Sequence, residues 1–522
     1  MKTFNKIFIV LFTLVTFVSC QDWLLEEIPG STQLDDYYSS GSTGIFTTNA
    51  AYVPLAWEYN DTYYSEFFIG DIMSDDALKG GQNISDMSDA YDMENFKTIA
   101  NNGLILDYFR AQYQGIARCN LGLQEVPLLE PDSSMTAEIQ SRLIGELKFL
   151  RAMYYFRLVR NFGGVPLVDE VVESADDWQQ PRSSADSIYN FIISDLEDAE
   201  ERLWLKSEYN EEDLGRATKG AAQAMLLKVN LYMHEYEDAE DWGKLIVESE
   251  EYDLHSDYAS NFKIENENGI ESVFEVQYTE DPTSDFGDGN GFTRGTFTTI
   301  LTRSRSSLLG GGWGFNKPTQ NLYDEYEDGD MRRDATILNP TEEQIENEEQ
   351  EIYFGSRYLN RKSGWYSDDD EAYELDHTSR SPLNRIDIRF ADVLLMYAEA
   401  ACENNHLDVA KTALDRVRER ADTSANRSIL PEFPYGDYTD DSQDDLRKAI
   451  RHERRVELAM EGHRWYDLVR WGIAKETMDT YKATETEEAQ SHMAEFIEGK
   501  HELLPIPSKE IELNPMKQNP GY

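Results

Sequence analysis

Apolar residues recur three and four positions apart in three long stretches of this sequence, residues 141–160, 217–249 and 390–421. This spacing lines one face of an α-helix. In the second stretch a break near Tyr236 separates two such helices, and in the third a polar turn at Asn404 and Asn405 does the same. Small residues at the crossings suit the close packing of two helices in a hairpin. The chain is therefore predicted to be mainly α-helical and built from helix pairs.

Two irregular segments interrupt these helices. Residues 41–102 are rich in Ser, Asn, Asp, Tyr and Gly, and residues 271–377 open with the strand-like alternation ESVFEVQY before becoming glycine-rich and aromatic. The sequence FGGVP at 162–166 is expected to end the first long helix. Long irregular segments in a compact protein are usually functional. The predicted fold class is mainly α, a scaffold of tetratricopeptide-like helix pairs with irregular loops and small β insertions.

The charge balance excludes some classes of partner. With 48 basic and 100 acidic residues among 522, the chain has a formal charge of −52. A chain this acidic cannot use the counterion release that drives binding to nucleic acid, or the attraction that holds polybasic proteins on anionic lipid. Its hydrophobic content of 40% is ample for a large core, so the charge is expected on a solvated surface.

One segment departs sharply from this acidity. Residues 289–323 contain no Asp or Glu, but they include Trp313 and the basic residues Arg294, Arg303, Arg305 and Lys317. The segment has two interpretations. It is either a place where an electron-rich or anionic ligand approaches, or a buried strand pair with a loop excluded from solvent. The sequence leaves both open.

The N-terminus predicts an exported lipoprotein. Lys2 and Lys6 precede an apolar run at residues 7–18, which has the length of a signal-peptide core and is too short to span a bilayer. The sequence FVSC at 17–20 resembles a bacterial lipobox. We expect removal of the signal peptide 1–19 and lipidation of Cys20. The other two cysteines, Cys119 and Cys402, are expected to be buried thiols, with a disulfide between them as the alternative.

Several motifs together resemble the RagB/SusD family of outer-membrane glycan-binding lipoproteins. The closing region carries RIDIRFADVLLMYAEAAC, ERRVELAMEGHRWYDLVRWG and LLPIPSKEIELNPMKQNPGY, at residues 385–402, 453–472 and 503–522. Segments 20–31, 146–168 and 310–334 also fit the family pattern. The resemblance implies one SusD-like domain at 20–522. Its parts are an N-terminal part (20–270), a variable insertion (271–377) and a C-terminal RagB/SusD-type region (378–522).

The resemblance also implies a function. A SusD-like protein is expected to be lipid-anchored in the outer membrane, exposed at the cell surface and non-catalytic. It is expected to capture an oligo- or polysaccharide for a partner, a TonB-dependent transporter of the SusC type. Two alternatives remain open. The first is capture of peptide or glycoprotein fragments, and the second is glycoside hydrolysis. The sequence has no HExxH, GxSxG or phosphate-binding loop.

The candidate glycan-binding residues combine aromatic rings, which stack on sugar rings, with polar groups for the sugar hydroxyls. The early loop 70–83 resembles a family binding loop but has no aromatic residue at 79–82, which disfavours a starch-like arc of stacked rings. Neutral β-glucan and uronate polymer both remain possible ligands. No cofactor is predicted, although DFGDGNG (285–291) and DDDE (368–371) are possible structural calcium sites. The candidates are Trp313, Trp365, Asp75, Asp76, Lys79, Asn83, Phe292 and Arg294.

Overall fold

A computed structural model describes most of the chain from Tyr37 to the C-terminus. The described residues are 37–58, 67–172, 174, 178–280, 294–309, 311–345, 352–364, 378–422, 430–440 and 442–522. Four groups of sequence predictions lie outside them. These are the signal peptide with Cys20, the possible calcium segments 285–291 and 368–371, Phe292, and Trp365.

Helices dominate the described chain. Its α-helices are α1 (Gly41–Tyr52), α2 (Phe67–Gly70), α3 (Ser88–Glu94), α4 (Gly103–Glu125), α5 (Ala137–Phe162), α6 (Ala185–Arg202), α7 (Lys219–Met233), α8 (Tyr236–Glu248), α9 (Thr298–Thr302), α10 (Gln320–Glu325), α11 (Arg332–Thr336), α12 (Glu342–Ile345), α13 (Arg361–Gly364), α14 (Phe390–Glu403), α15 (Leu407–Asp422), α16 (Gln443–Glu457), α17 (Arg464–Arg470), α18 (Ala474–Thr484), α19 (Glu487–His492) and α20 (Ser508–Leu513). The predicted mainly α fold class is confirmed.

The long helices form a continuous packed series. Helices α4 to α8 each contact the next, α8 contacts α14, and α14 contacts both α15 and α16. A Cβ atom added to Gly115 of α4 would lie 2.3 Å from Cζ of Tyr154 on α5. One added to Gly243 of α8 would lie 2.8 Å from Cδ2 of Tyr397 on α14. The helices are therefore in close contact through small residues at these crossings, as predicted.

Helix α5 lies at the centre of the main core, between α4 and α6. It begins after Thr136, whose side chain accepts a hydrogen bond from the amide of Ile139, and its last residue is Phe162, immediately before the two glycines of FGGVP. The predicted end of this helix is confirmed. Leu143, Leu147 and Leu150 of the predicted apolar face are fully buried.

Three short antiparallel strand pairs connect the insertions to the scaffold. They are β1 (Ala77–Gly80) with β3 (Phe315–Pro318), β2 (Ser272–Val276) with β6 (Arg385–Arg389), and β4 (Ile337–Leu338) with β5 (Leu359–Asn360). Strand β2 is the strand expected from ESVFEVQY. Strand β1 lies in the segment 41–102, for which the sequence predicts irregular structure and no strand.

A second apolar core lies beneath the insertions. Phe297 and Leu301 of the acid-free segment pack there with Phe315 of β3, and Trp313 packs at its edge. The buried interpretation of this segment is therefore correct for α9 and β3, whereas Trp313 is partly exposed and Arg294 is exposed.

Two further properties bear on the predictions. Cys119 and Cys402 are buried, free thiols, so no disulfide joins them. Within the described ranges, no helix combines the length and apolar character that crossing a membrane requires.

Candidate functional site

Pairing of β1 with β3 brings together two segments that are far apart in sequence. Gly80 pairs with Phe315, and the amide of Gly81 donates a 2.8 Å hydrogen bond to the carbonyl of Gly314. Both Gly80 and Gly81 have positive φ, and a Cβ atom on Gly80 would lie 2.2 Å from that carbonyl oxygen. Only glycine fits this close approach. As a result, the loop at residues 82–86 follows β1 beside the turn that carries Trp313.

Trp313 is held by its backbone on both sides. Its amide donates to the carbonyl of Ile300 at 2.9 Å, and its carbonyl accepts a 2.8 Å hydrogen bond from Nη1 of Arg305. The indole packs edge-to-face on Phe297, with ring centroids 5.2 Å apart, and remains partly exposed. The sequence therefore presents an oriented aromatic ring at the surface.

Polar groups follow on the neighbouring loop. Nη1 of Arg305 lies 3.7 Å from Oδ2 of Asp86, and this same oxygen accepts a 2.8 Å hydrogen bond from the amide of Gln82. The exposed Asn83 accepts a hydrogen bond from the amide of Ser85, which orients its side-chain amide. We refer to Gln82, Asn83, Asp86, Arg305 and Trp313 as the Trp313 surface.

Two of the predicted site residues, Asn83 and Trp313, are thus brought together. Sequence reasoning missed the contributions of Gln82 and Asp86. Their signal was weak, because polar residues such as Asp near glycines are typical of turns whatever their function.

Asp75 and Asp76, predicted to bind glycan, are instead buried in ion pairs. Oδ1 of Asp75 lies 2.8 Å from Nε of Arg464, and Oδ1 of Asp76 lies 2.8 Å from Nε of Arg455. Burial alone would raise the pKa of Asp75, but Arg455 and Arg464 outweigh it and hold that pKa below its usual range. These carboxylates connect the segment before β1 to α16 and α17. They are not part of the Trp313 surface.

Lys79 is also buried, beneath the loop. Its Nζ donates to the carbonyls of Asn83 at 2.9 Å and Asp86 at 2.5 Å, and lies between the rings of Phe315 and Tyr353. Burial lowers the pKa of Lys79 to about 8. This lysine therefore shapes the loop from inside and does not face a ligand, contrary to its predicted role.

Arg294 lies elsewhere. It lines a groove of about 450 Å³ with Leu214, Tyr278 and neighbouring residues, and Trp313 is not part of that lining. In the part of the chain that the structure describes, no three His, Cys, Asp or Glu side chains are grouped so that they could hold a metal ion.

Comparison with known proteins places the chain in a family. The SusD family model matches residues 270–522, and a second model, described as starch-binding associating with outer membrane, matches residues 45–231. SusD-like protein P2 of Formosa agariphila is 26% identical over 553 residues, with 100% of each chain covered. A SusD-like protein from Bacteroides ovatus is 25% identical, covering 90% of this chain and 82% of its own.

Solved structures agree with these sequence matches. A laminarin-binding SusD-like protein is 28% identical, with a TM-score of 0.76 and coverage of 93% of this chain and 100% of its own. Surface glycan-binding protein A from Bacteroides fluxus is 26% identical, with a TM-score of 0.77 and the same coverage. Two family models match in chain order, relatives match over most or all of their length, and the fold is shared. This chain belongs to the SusD family.

Proposed function

We propose that this protein captures an oligo- or polysaccharide on the Trp313 surface without cleaving it. The observation that carries the proposal is the partly exposed indole of Trp313, whose carbonyl is bonded to Arg305, with Asp86 and the exposed Asn83 on the adjoining loop. A sugar ring presents C–H groups that stack on an aromatic ring, and its hydroxyls need hydrogen-bond partners. The Trp313 surface supplies both.

The charges on this surface favour a neutral sugar. Asp86 and Arg305 carry opposite charges 3.7 Å apart, so the pair adds no net charge beside Trp313. The name of the laminarin-binding relative supports the same choice, and that of the surface glycan-binding protein supports glycan binding in general. We infer that a neutral β-glucan is the ligand, in preference to a uronate polymer.

The positions of the carboxylates support capture without cleavage. A glycoside hydrolase needs two carboxyl groups about 5–10 Å apart across the scissile bond. Among the five residues of the Trp313 surface the single carboxylate is Asp86, and its charge is balanced by Arg305. The pair Asp75 and Asp76, which sequence reasoning placed in the site, is buried among arginines.

Lipidation of Cys20 would keep the protein at the outer membrane, exposed at the cell surface, where it passes its glycan to a TonB-dependent transporter of the SusC type. The lipobox-like sequence and the family description, which names the outer membrane, support this part of the proposal. Replacing Cys20 with Ala should move the protein out of the membrane fraction. Affinity purification of the lipidated protein should recover the transporter. A wild-type protein that is absent from the membrane fraction and recovers no transporter would contradict this placement.

The test of capture uses the soluble chain from Asp22 onward in native gels cast with β-glucans, other neutral polymers or uronate polymers. The same mixtures are assayed for newly released reducing ends. We expect retardation by a β-glucan without release. Release of reducing ends would show hydrolysis, and retardation by uronate polymers alone would overturn the choice of ligand.

A further inference from the structure

A second, deeper cavity lies apart from the Trp313 surface. It has a volume of about 120 Å³ and is bounded by α5, α7, the start of α9, strand β6 and the turn before α17. This is room for about four water molecules at liquid density. Thr299 of α9 lines the cavity, whereas the next residue, Ile300, accepts the hydrogen bond from Trp313. Helix α9 therefore lies between the two sites. What is inferred for the cavity does not rest on the proposed glycan binding.

The cavity wall is rich in positive charge. In a chain with a formal charge of −52, its lining contains two carboxylates, Asp387 and Glu461, against five cationic side chains. Two further carboxylates, Asp392 and Glu58, are not part of the lining. They form ion pairs with Lys228 and Arg385. The cations are Arg157, Arg160, Lys228, Lys362 and Arg385.

Two buried polar groups on this wall bear on what the cavity holds, a hydroxyl with no hydrogen-bond partner in the described chain and an ammonium in an ion pair. Thr299 is fully buried, and its Oγ1 has no hydrogen-bond partner in the described chain. The ammonium of Lys228, on a side chain that is 7% exposed, lies 3.1 Å from Asp392, and a lysine has three N–H donors. Buried polar groups are nearly always satisfied, so the Thr299 hydroxyl indicates an additional partner in the cavity, and Lys228 has N–H groups beyond its contact with Asp392.

His463 lies on the same wall. Burial lowers the pKa of His463 to about 4, so its ring is neutral at pH 7 and carries one N–H. The cavity lining thus combines the Lys228 ammonium, the Thr299 hydroxyl and one neutral imidazole, and four of its five cationic side chains are in ion pairs.

We propose that this cavity binds a small oxyanion, a carboxylate, sulfate or phosphate group, through Lys228 and Thr299 with His463 beside them. A compact anion accepts several hydrogen bonds at once. Its source is either a free inorganic ion or the acid group of a sugar, and the two sources are separated by experiment.

The test is calorimetric titration of the chain from Asp22 onward with sulfate, glucuronate or glucose at constant ionic strength. We expect sulfate to bind, with or without glucuronate. We expect no binding of glucose. Binding of glucuronate assigns the site to an acidic sugar, whereas sulfate alone assigns it to a free ion. If neither acid binds, the proposal is wrong.

Matched variants locate the binding. Thr299→Val keeps the side-chain shape and removes a hydroxyl that makes no internal bond, so the variant should fold normally. It should weaken oxyanion binding by about tenfold or more, the effect of one charge-assisted hydrogen bond. The control Thr302→Val lies on the same helix, with its hydroxyl bonded to the carbonyl of Thr298, and should bind as the wild type does. Equal binding by Thr299→Val and the wild type would overturn the proposal.

A crystallographic arm uses selenate, whose selenium scatters anomalously. The expected result is an anomalous selenium peak in the cavity, with a selenate oxygen within hydrogen-bonding distance of Nζ of Lys228. Water density alone at that position, at a selenate concentration that saturates the calorimetric signal, would contradict the assignment.

Discussion

At the residue scale, Arg305 joins the two halves of the Trp313 surface. Its guanidinium donates to the carbonyl of Trp313 and lies 3.7 Å from Asp86. Arg305→Met should therefore release the Trp313 turn and leave Asp86 without its counter-charge. We predict a loss of glycan affinity of about 1–2 kcal/mol, measured by calorimetry with a β-glucan oligosaccharide.

Arg110→Met is the control for this substitution. Arg110 also forms an arginine–carboxylate pair, 2.7 Å from Glu510, but it lies outside the Trp313 surface. The variant Arg110→Met should leave glycan affinity unchanged. An equal loss in both variants would mean that Arg305 acts through the general charge of the molecule.

At the element scale, buried ion pairs join α16 to other parts of the C-terminal region and to the insertion. Glu457 at the end of α16 accepts hydrogen bonds from Arg389 of β6, Arg420 of α15 and Arg332 of α11. The side chain of Glu457 is fully buried, and those of its three partners are at most 4% exposed. The three cations, Arg420 first among them, outweigh the effect of burial and hold the pKa of Glu457 below its usual range.

Glu457→Gln should be strongly destabilising, because it leaves buried arginines short of a counter-charge. We predict a loss of about 3–5 kcal/mol in the free energy of unfolding, measured by urea denaturation. The control Lys475→Ala breaks a surface pair with Asp479, whose side chains are 47% and 50% exposed, and should cost at most about 1 kcal/mol. Similar losses from the two substitutions would contradict the structural role of the buried pairs.

Another contact of α16 predicts a pH dependence. Burial would lower the pKa of His452, but hydrogen bonds to Glu325 and Glu327 outweigh it and raise that pKa to about 9, from 6.5. The protonated histidine therefore stabilises the fold fully below pH 6.5, and this stabilisation is lost as the pH rises through 9. The difference in unfolding free energy between the wild type and His452→Gln should be constant below pH 6.5 and shrink toward pH 9. A difference that grows over this range would show the opposite sign.

At the scale of the whole molecule, a formal charge of −52 repels itself across the surface. Salt shortens the range of this repulsion but barely screens buried pairs. Raising sodium chloride from about 0.02 M to about 0.5 M should therefore raise the Tm. Choline chloride should give the same rise, since screening does not depend on the cation. A fall in Tm with salt would show that surface ion pairs outweigh the repulsion.

Local patterns were enough to predict the scaffold. The apolar spacing and the FGGVP sequence predicted α5 and its end, and ESVFEVQY predicted β2. Strand β1 could not be predicted in this way, because its four residues pair with β3 more than 200 positions later. Pairing over such a separation leaves no local signal.

The same limit explains the mixed outcome for the candidate site. Asn83 and Trp313 carry recognisable chemistry and lie on adjoining loops that β1 and β3 bring together. Asp75 and Lys79 have equally suitable side chains, but the partners that bury them, such as Arg464, are set by the tertiary fold. Polar residue type predicts the capacity to bind a sugar, whereas exposure depends on the whole molecule.

The most direct test of the central claim compares two tryptophan variants by calorimetry with a β-glucan oligosaccharide. Trp313→Ala should weaken binding by about 1–2 kcal/mol, or about 5- to 30-fold, through loss of the stacking ring. Trp178→Ala removes another exposed tryptophan, 69% exposed and outside the Trp313 surface, and should bind as the wild type does. A folded Trp313→Ala variant with wild-type affinity would contradict the assignment of glycan capture to this surface.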